Sequence, residues 1–205
     1  MSNFTAIWAV SRTLQLLLQS QIRADPQFPV SSSPVTVSLL SPKALREPGS
    51  PDPGTSISIW LYRVVRNEFT WNNRSERTAS NQVPHASIPI NLYYLVTPMN
   101  EDPESQQVAL GKVLQVFNDY AILRGSDLQE SLRETTEQLR VSLEALTLEE
   151  LTQVWYSLQE SYQLSVSYLV QVVTIDSGLE PALAPPVLQR NSGYNQILSN
   201  QKSGQ

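Results

Sequence analysis

Cysteine is absent from this 205-residue sequence, and histidine occurs once, at His85. Without thiols there is no disulfide framework, no thiolate nucleophile and no cysteine-ligated zinc or iron–sulfur site. One imidazole cannot furnish a multi-histidine metal centre. Charge is scarce, at 16% of residues against about 25% in an ordinary soluble domain. Fourteen Lys and Arg against nineteen Asp and Glu leave a net charge of −5, so the basic footprint of nucleic-acid binding is missing. Long apolar runs are missing too. The densest, Leu14 to Leu18, is broken by Gln15 and flanked by Arg12 and Gln19, far short of the ~20 residues that span a bilayer. The start lacks the basic cluster and apolar stretch of a secretory leader. The expectation is therefore cytoplasmic assembly, with the N-x-[ST] matches at Asn3 and Asn73 arising by chance.

What is present suffices for a core. Hydrophobic residues make up 40% of the chain, and its length fits one domain with a tail. Ile7, Val10, Leu14, Leu17 and Leu18 recur at helical spacing up to Pro26. Val35, Val37 and Leu39 alternate as a short strand. Six prolines and glycines between Pro42 and Gly54 mark residues 41–56 as a surface loop without regular structure. Ile57 to Asn67 and Ser87 to Thr97 are rich in β-branched and aromatic residues and predict strands. Pro89 belongs at a strand start or an edge, because it has no N–H to donate. The polar stretch Glu68 to Pro84 predicts a long loop.

Helical spacing returns at Leu110, Val113, Leu114, Phe117 and Ala121. Gly111 within it costs about 1 kcal/mol against alanine, which predicts a closely packed backbone there. Leu139 to Ala145 alternates as a half-buried strand. Thr147 and Glu150 form a capping box ahead of a helix with an inward face of Leu148, Leu151, Val154, Trp155 and Leu158. Tyr162 to Asp176 alternates Leu164, Val166, Tyr168, Val170 and Val172 inward. This order predicts an α+β fold: a single domain over residues 1–176, with a roughly five-stranded mixed sheet and helices layered mainly on one face. Residues 177–205, with Pro181, Pro185 and Pro186 followed by Asn, Gln, Ser and Gly, predict an irregular C-terminal tail or arm. Tyr194, Ile197 and Leu198 are the large apolar cluster in its last stretch, and the expected docking point.

Catalytic signatures do not emerge. There is no G-x-S-x-G, no G-x-G-x-x-G and no P-loop. His85 beside Pro84 reads as a solvated loop residue. Glu101, Asp102 and Glu104 surround a helix start, where negative charge suits the helix dipole, and Glu149 and Glu150 belong to the capping box. Trp60, Tyr62, Tyr93, Tyr94, Trp155 and Tyr168 sit at core or interface spacing. No catalytic, cofactor-binding or metal-binding residue is assigned, no cofactor is expected, and the physical reading is a non-catalytic interaction domain.

Five segments, in order, resemble one known family. Leu61 to Asn67 (LYRVVRN), Ile88 to Thr97 (IPINLYYLVT), Gln106 to Phe117 (QQVALGKVLQVF), Leu148 to Trp155 (LEELTQVW) and Tyr162 to Asp176 are similar to successive blocks of the cap proteins of extracellular contractile injection systems. The similarity covers nearly everything from Phe4 to Asp176. It implies a tail-terminator-like fold and a structural role: a homohexameric ring that ends inner-tube and sheath polymerisation and locks sheath to tube. The implied partners are other copies of the chain, the inner tube protein and the sheath protein, with no nucleic acid. The particle itself is released or membrane-associated, so any membrane contact is indirect. A ring of identical subunits needs two different complementary faces, and Trp60, Tyr62 and Val64 on a strand apolar on both sides are candidates for one. The alternative is a non-catalytic small-molecule or peptide-binding module on the same fold.

Overall fold

The computed structural model describes residues 3–26, 28, 35–50, 56–68, 82, 83, 85, 87–133, 135–180, 182 and 183. In chain order they form α1 (Ala6–Ala24), β1 (Thr36–Ser38), α2 (Pro42–Arg46), β2 (Ser56–Arg66), β3 (Gln82–Val83) and β4 (Ile88–Pro98). There follow α3 (Pro103–Asp119), β5 (Ile122–Arg124), β6 (Gln138–Glu144), α4 (Leu148–Ser157), β7 (Val166–Ile175) and β8 (Ala182–Leu183). One sheet runs β1-β2-β4-β7-β6-β5, antiparallel throughout except for the parallel β1–β2 pair. The α+β class and the mixed sheet are as expected, with six strands in place of roughly five. The three residues of β5 are too few to show an alternation.

The two long helices share one face of the sheet. Val10, Leu14, Leu18 and Ile22 descend one side of α1 and meet Val113, Val116 and Phe117 of α3 over Ile57, Ile59, Leu92, Tyr94, Val96, Val141 and Val170. Phe117 stands edge-on to Tyr168, centroids 4.8 Å apart, a favourable aromatic geometry. The polar groups carried into this core are paired. Ser11 Oγ and Tyr94 OH lie 2.8 Å apart, and Thr13 Oγ1 donates to Ala9 O while accepting from Gln129 N. Burial raises the Tyr94 hydroxyl pKa despite the Ser11 bond, and pushes Tyr168 up to about 12.

A smaller layer occupies the other face. Trp155 of α4 is buried with Leu95 and Leu158, and Trp60, Tyr62, Leu151 and Val154 pack around them. Of the expected inward face of α4, Leu148 is instead 66% exposed, because the helix meets the sheet only along its later turns. The Thr147–Glu150 capping box is formed as expected. Helix α2 lies beside the end of α4, with Arg46 3.7 Å from Glu160.

Four expectations are corrected. Residues 41–56 contain α2, because Ser41 caps the helix by accepting from Ala44 N and Pro42 occupies its first turn, where no N–H is needed. The loop before Pro84 and the segment after Asp176 meet, as β3 and β8 pair antiparallel through Gln82–Leu183 and Val83–Ala182; the tail is thus not irregular at 182–183. Among the described residues, a Cβ added at Gly111 would meet nothing within 4 Å, so none of their backbone packs closely there. Helix α3 turns Ala109 and Val116 inward, while Leu114 is exposed and Ala121 lies beyond the helix end.

Strand phase accounts for the remaining differences. Between β4 and β7 the pairs Ile90–Val173 and Leu92–Val170 leave one extra residue on β7. This β-bulge shifts the alternation, so Val173 takes the core position after Val170. The expected inward side chain of Val172 lies outside the described residues. Leu164 precedes the strand and is exposed, as is Ile88 at the start of β4. Pro89 is the second residue of β4, a strand start as expected.

Candidate functional site

Trp60 and Tyr62 lie together on the second face of the sheet, half-buried against the Trp155 layer. Their rings are 6.2 Å apart, and Tyr93 continues the row 6.3 Å from Tyr62. Tyr62 OH is 3.0 Å from Ser167 Oγ, and burial, the largest influence, raises its pKa. Arg63 sits 5.1 Å over the Tyr93 ring, a cation–π arrangement. Trp155 Nε1 donates to Ser165 Oγ at 3.0 Å.

Val64 does not join them. Leu61 pairs with Tyr94 but Arg63 pairs with Tyr93, so Tyr62 is an extra residue on β2. Beyond this bulge Val64 pairs with Leu92 and therefore faces the α1 side, 47% exposed. Periodicity alone joins the three; the bulge separates them. Tyr194, Ile197 and Leu198 lie outside the described residues.

The sheet edges carry features that sequence reasoning missed. Gln19 Nε2 donates to Val35 O at 2.8 Å and Gln19 Oε1 accepts from Val37 N at 2.7 Å. Gln15 Nε2 donates to Val37 O, also at 2.7 Å. Two side chains of α1 thus satisfy the outer backbone of β1, a protection that edge strands need. Their i, i+4 spacing was a visible signal, but only knowledge that β1 is an edge gives it meaning. At the other end β5 covers only part of β6. There Leu143 is 56% exposed, beside an open groove of ≈ 490 Å³ lined by Leu114, Ala121, Val141, Leu143 and Tyr168 among others.

The carboxylates serve local structure. Asp102 accepts from Ser105 N at 2.8 Å at the start of α3, and Glu150 accepts from Thr147 N at 2.8 Å. These backbone donors, first among the influences, hold both carboxyls below their ordinary pKa. Among the described residues, no group of three or more His, Cys, Asp or Glu side chains gathers as a metal site would. His85 is exposed.

The model of the Pvc16 N-terminal domain family matches residues 9–189. The chain belongs to that family. No curated protein sequence matches it. Among solved structures, this Pvc16 N-terminal domain chain is similar to the PVC sheath/tube terminator of an extracellular contractile injection system in its extended state, at a TM-score of 0.59 and 16% identity. That match covers 98% of this chain and 67% of the terminator. The tube-terminating cap of the anti-feeding prophage matches with a TM-score of 0.56 and 16% identity, over 90% of this chain and 60% of that one. The chain thus spans about two thirds of the first structure and less of the second. At this identity the likeness is one of fold, and the fold is that of terminators of contractile injection systems, in agreement with the sequence resemblance.

Proposed function

We propose that this chain is a structural, non-catalytic cap that ends the inner tube and sheath of a phage-tail-like contractile injection particle. In this reading six copies close into a ring on the distal end, stop further polymerisation and lock sheath to tube. Its partners are further copies of itself, the tube protein and the sheath protein, and it assembles in the cytoplasm as part of the particle. The observation that carries the reading is a terminator fold extending over 98% of the chain within a family match over residues 9–189. The unlike sheet edges support it. A ring closes through heterologous contacts, in which each subunit offers two different faces, and a sealed β1 with a partly open β6 gives the protomer that asymmetry. Among the described residues no helix is long and apolar enough to cross a membrane.

The test is polymerisation of tube and sheath protein with and without the full chain, imaged by negative-stain microscopy. Six-fold rings at one end and a narrowed length distribution are expected. Bare ends with unchanged lengths would exclude capping.

A further inference from the structure

Helices α1 and α3 lie side by side and antiparallel. Gln21 Nε2 donates to Tyr120 OH at 3.1 Å, and Lys112 Nζ meets Asp25 Oδ2 at 2.6 Å, so advancing along α1 means going back along α3. Each helix turns a second flank away from the other. Trp8 stands about 140° around α1 from Gln21 and is 52% exposed. Phe4, four residues earlier, is 85% exposed. Leu114 stands about 160° around α3 from Lys112, on the side of the open groove it shares with Ala121, Leu143 and Tyr168. The helical layer therefore carries two exposed aromatics on one side and an apolar groove on the other.

The two flanks also differ in charge. The charged residues of α1 are Arg12 and Arg23, both cationic. Residues 101–119 carry Glu101, Asp102, Glu104 and Asp119 against Lys112, which already holds Asp25. Among the described residues, Arg12, Arg23, Glu101 and Glu104 form no ion pair.

We infer that the Phe4–Trp8 flank of α1 docks into the α3 groove of a second copy; the inference rests on the ring reading above. Register supports this partner. With Trp8 at the level of Asn118 and the helices antiparallel, as within one chain, Arg23 lies fifteen residues on (23 − 8), about 22 Å along the helix. Fifteen residues back from Asn118 is Pro103 (118 − 15), where Glu101, Asp102 and Glu104 gather. One helix pair thus seats an apolar end in an apolar groove and a cationic end on an acidic one. Trp8 cannot reach the groove of its own copy. It is fixed to the far flank of α1, whose neighbouring Ala6, Ala9 and Val10 are fully buried, and Thr5 Oγ1 lies 2.8 Å from Ser131 Oγ. A contact between two unlike flanks is heterologous, the kind that closes a ring. Two aromatic side chains bury about 300–500 Å², short of the roughly 800 Å² that each partner gives to a stable interface. The contact is therefore weak between two free chains and is held by ring closure or by the tube end.

The absence of cysteine makes the test clean. Full chain carrying Arg23→Cys alone is mixed with full chain carrying Glu104→Cys alone, assembled on tube ends, and treated with a short bismaleimide. A covalent pair is expected on a denaturing gel from the mixture and from neither chain by itself. Trp8→Glu in the Arg23→Cys chain should abolish the pair, and Leu114→Glu in the Glu104→Cys chain should do so from the groove side. Rings seen by microscopy without the covalent pair would overturn the docking and leave the ring reading standing. A pair formed by either chain alone would mean that like flanks meet, which overturns the heterologous contact. A pair that survives either glutamate would overturn the seating of Trp8 in the groove. If the unmodified chain forms no ring in solution or on tube ends, the ring reading falls and this inference with it.

Discussion

Gln19 pairs with strand β1 as a neighbouring strand would: its Nε2 donates to Val35 O at 2.8 Å and its Oε1 accepts from Val37 N at 2.7 Å. One primary amide, held by a helix, reproduces the donor and acceptor of a peptide group. Strand β1 is parallel to β2 and only three residues long, so its outer backbone would otherwise be an invitation to edge-to-edge pairing. Replacing Gln19 with leucine keeps most of the bulk and removes both bonds. The orphaned Val37 amide should cost about 1–3 kcal/mol in chemical denaturation, and concentration-dependent association should appear in sedimentation. Unchanged stability and an unchanged sedimentation profile would show that solvent serves the β1 edge equally well.

Trp155 anchors the second layer, and its indole fills the space over Leu95 while Nε1 donates to Ser165 Oγ. Trp155→Ala should destabilise by about 3–5 kcal/mol as a large-to-small core change. The milder Trp155→Phe keeps an aromatic ring but leaves the hydroxyl of Ser165 without its donor, at about 1 kcal/mol for the hydrogen bond. Leu148→Ala, on the exposed first turn of the same helix, should stay within about 0.5 kcal/mol. Urea titrations rank the three directly, and equal losses at Leu148 and Trp155 would contradict the observed packing.

Local signals were the legible ones. The Thr147–Glu150 box could be found because its partners sit three residues apart in the chain, and the face of Ile90, Leu92, Tyr94 and Val96 because alternation runs unbroken through them. Alternation fails at the two bulges, where Tyr62 and the stretch between Val170 and Val173 each insert a residue. Periodicity also says which way a side chain points without saying whether anything covers it. Leu143 and Leu148 point as apolar periodicity suggests, yet lie exposed where neighbouring strand or sheet stops short. Helix α2 was hidden by proline, a breaker inside helices that is favoured in their first turn. The sealed β1 edge depends on a contact between Gln19 and Val37, eighteen residues apart, which no local pattern announces. The family resemblance came from the order of the segments rather than from any single side chain.

Acid should weaken both helix caps. The folded-state pKa values of Asp102 and Glu150 are lowered by backbone donors. Stability from these caps is therefore complete above the unfolded values of about 3.9 and 4.3 and is lost as pH falls through the lower folded values. Melting temperature should vary little through these groups between neutrality and about pH 5 and fall more steeply below about pH 4. Asp102→Asn together with Glu150→Gln should flatten part of that acid limb, since neither replacement titrates. An acid limb identical in wild type and the double variant would assign the loss to other carboxylates.

Gly111 sits inside α3 with nothing among the described residues within 4 Å of where its Cβ would be. Glycine within an exposed helical turn costs about 0.8–1 kcal/mol relative to alanine, mostly through the freedom of the unfolded chain. Gly111→Ala should therefore stabilise the isolated chain by about 1 kcal/mol, or roughly 2–4 °C in melting temperature for a domain of this size. A lower melting temperature would mean that α3 needs glycine for a reason internal to the fold. A gain in the isolated chain combined with loss of tube-end capping would have a different meaning: a second subunit or a particle component packs against the helix at that point. The pairing of a melt with a capping assay separates the cost of the fold from the needs of the assembly.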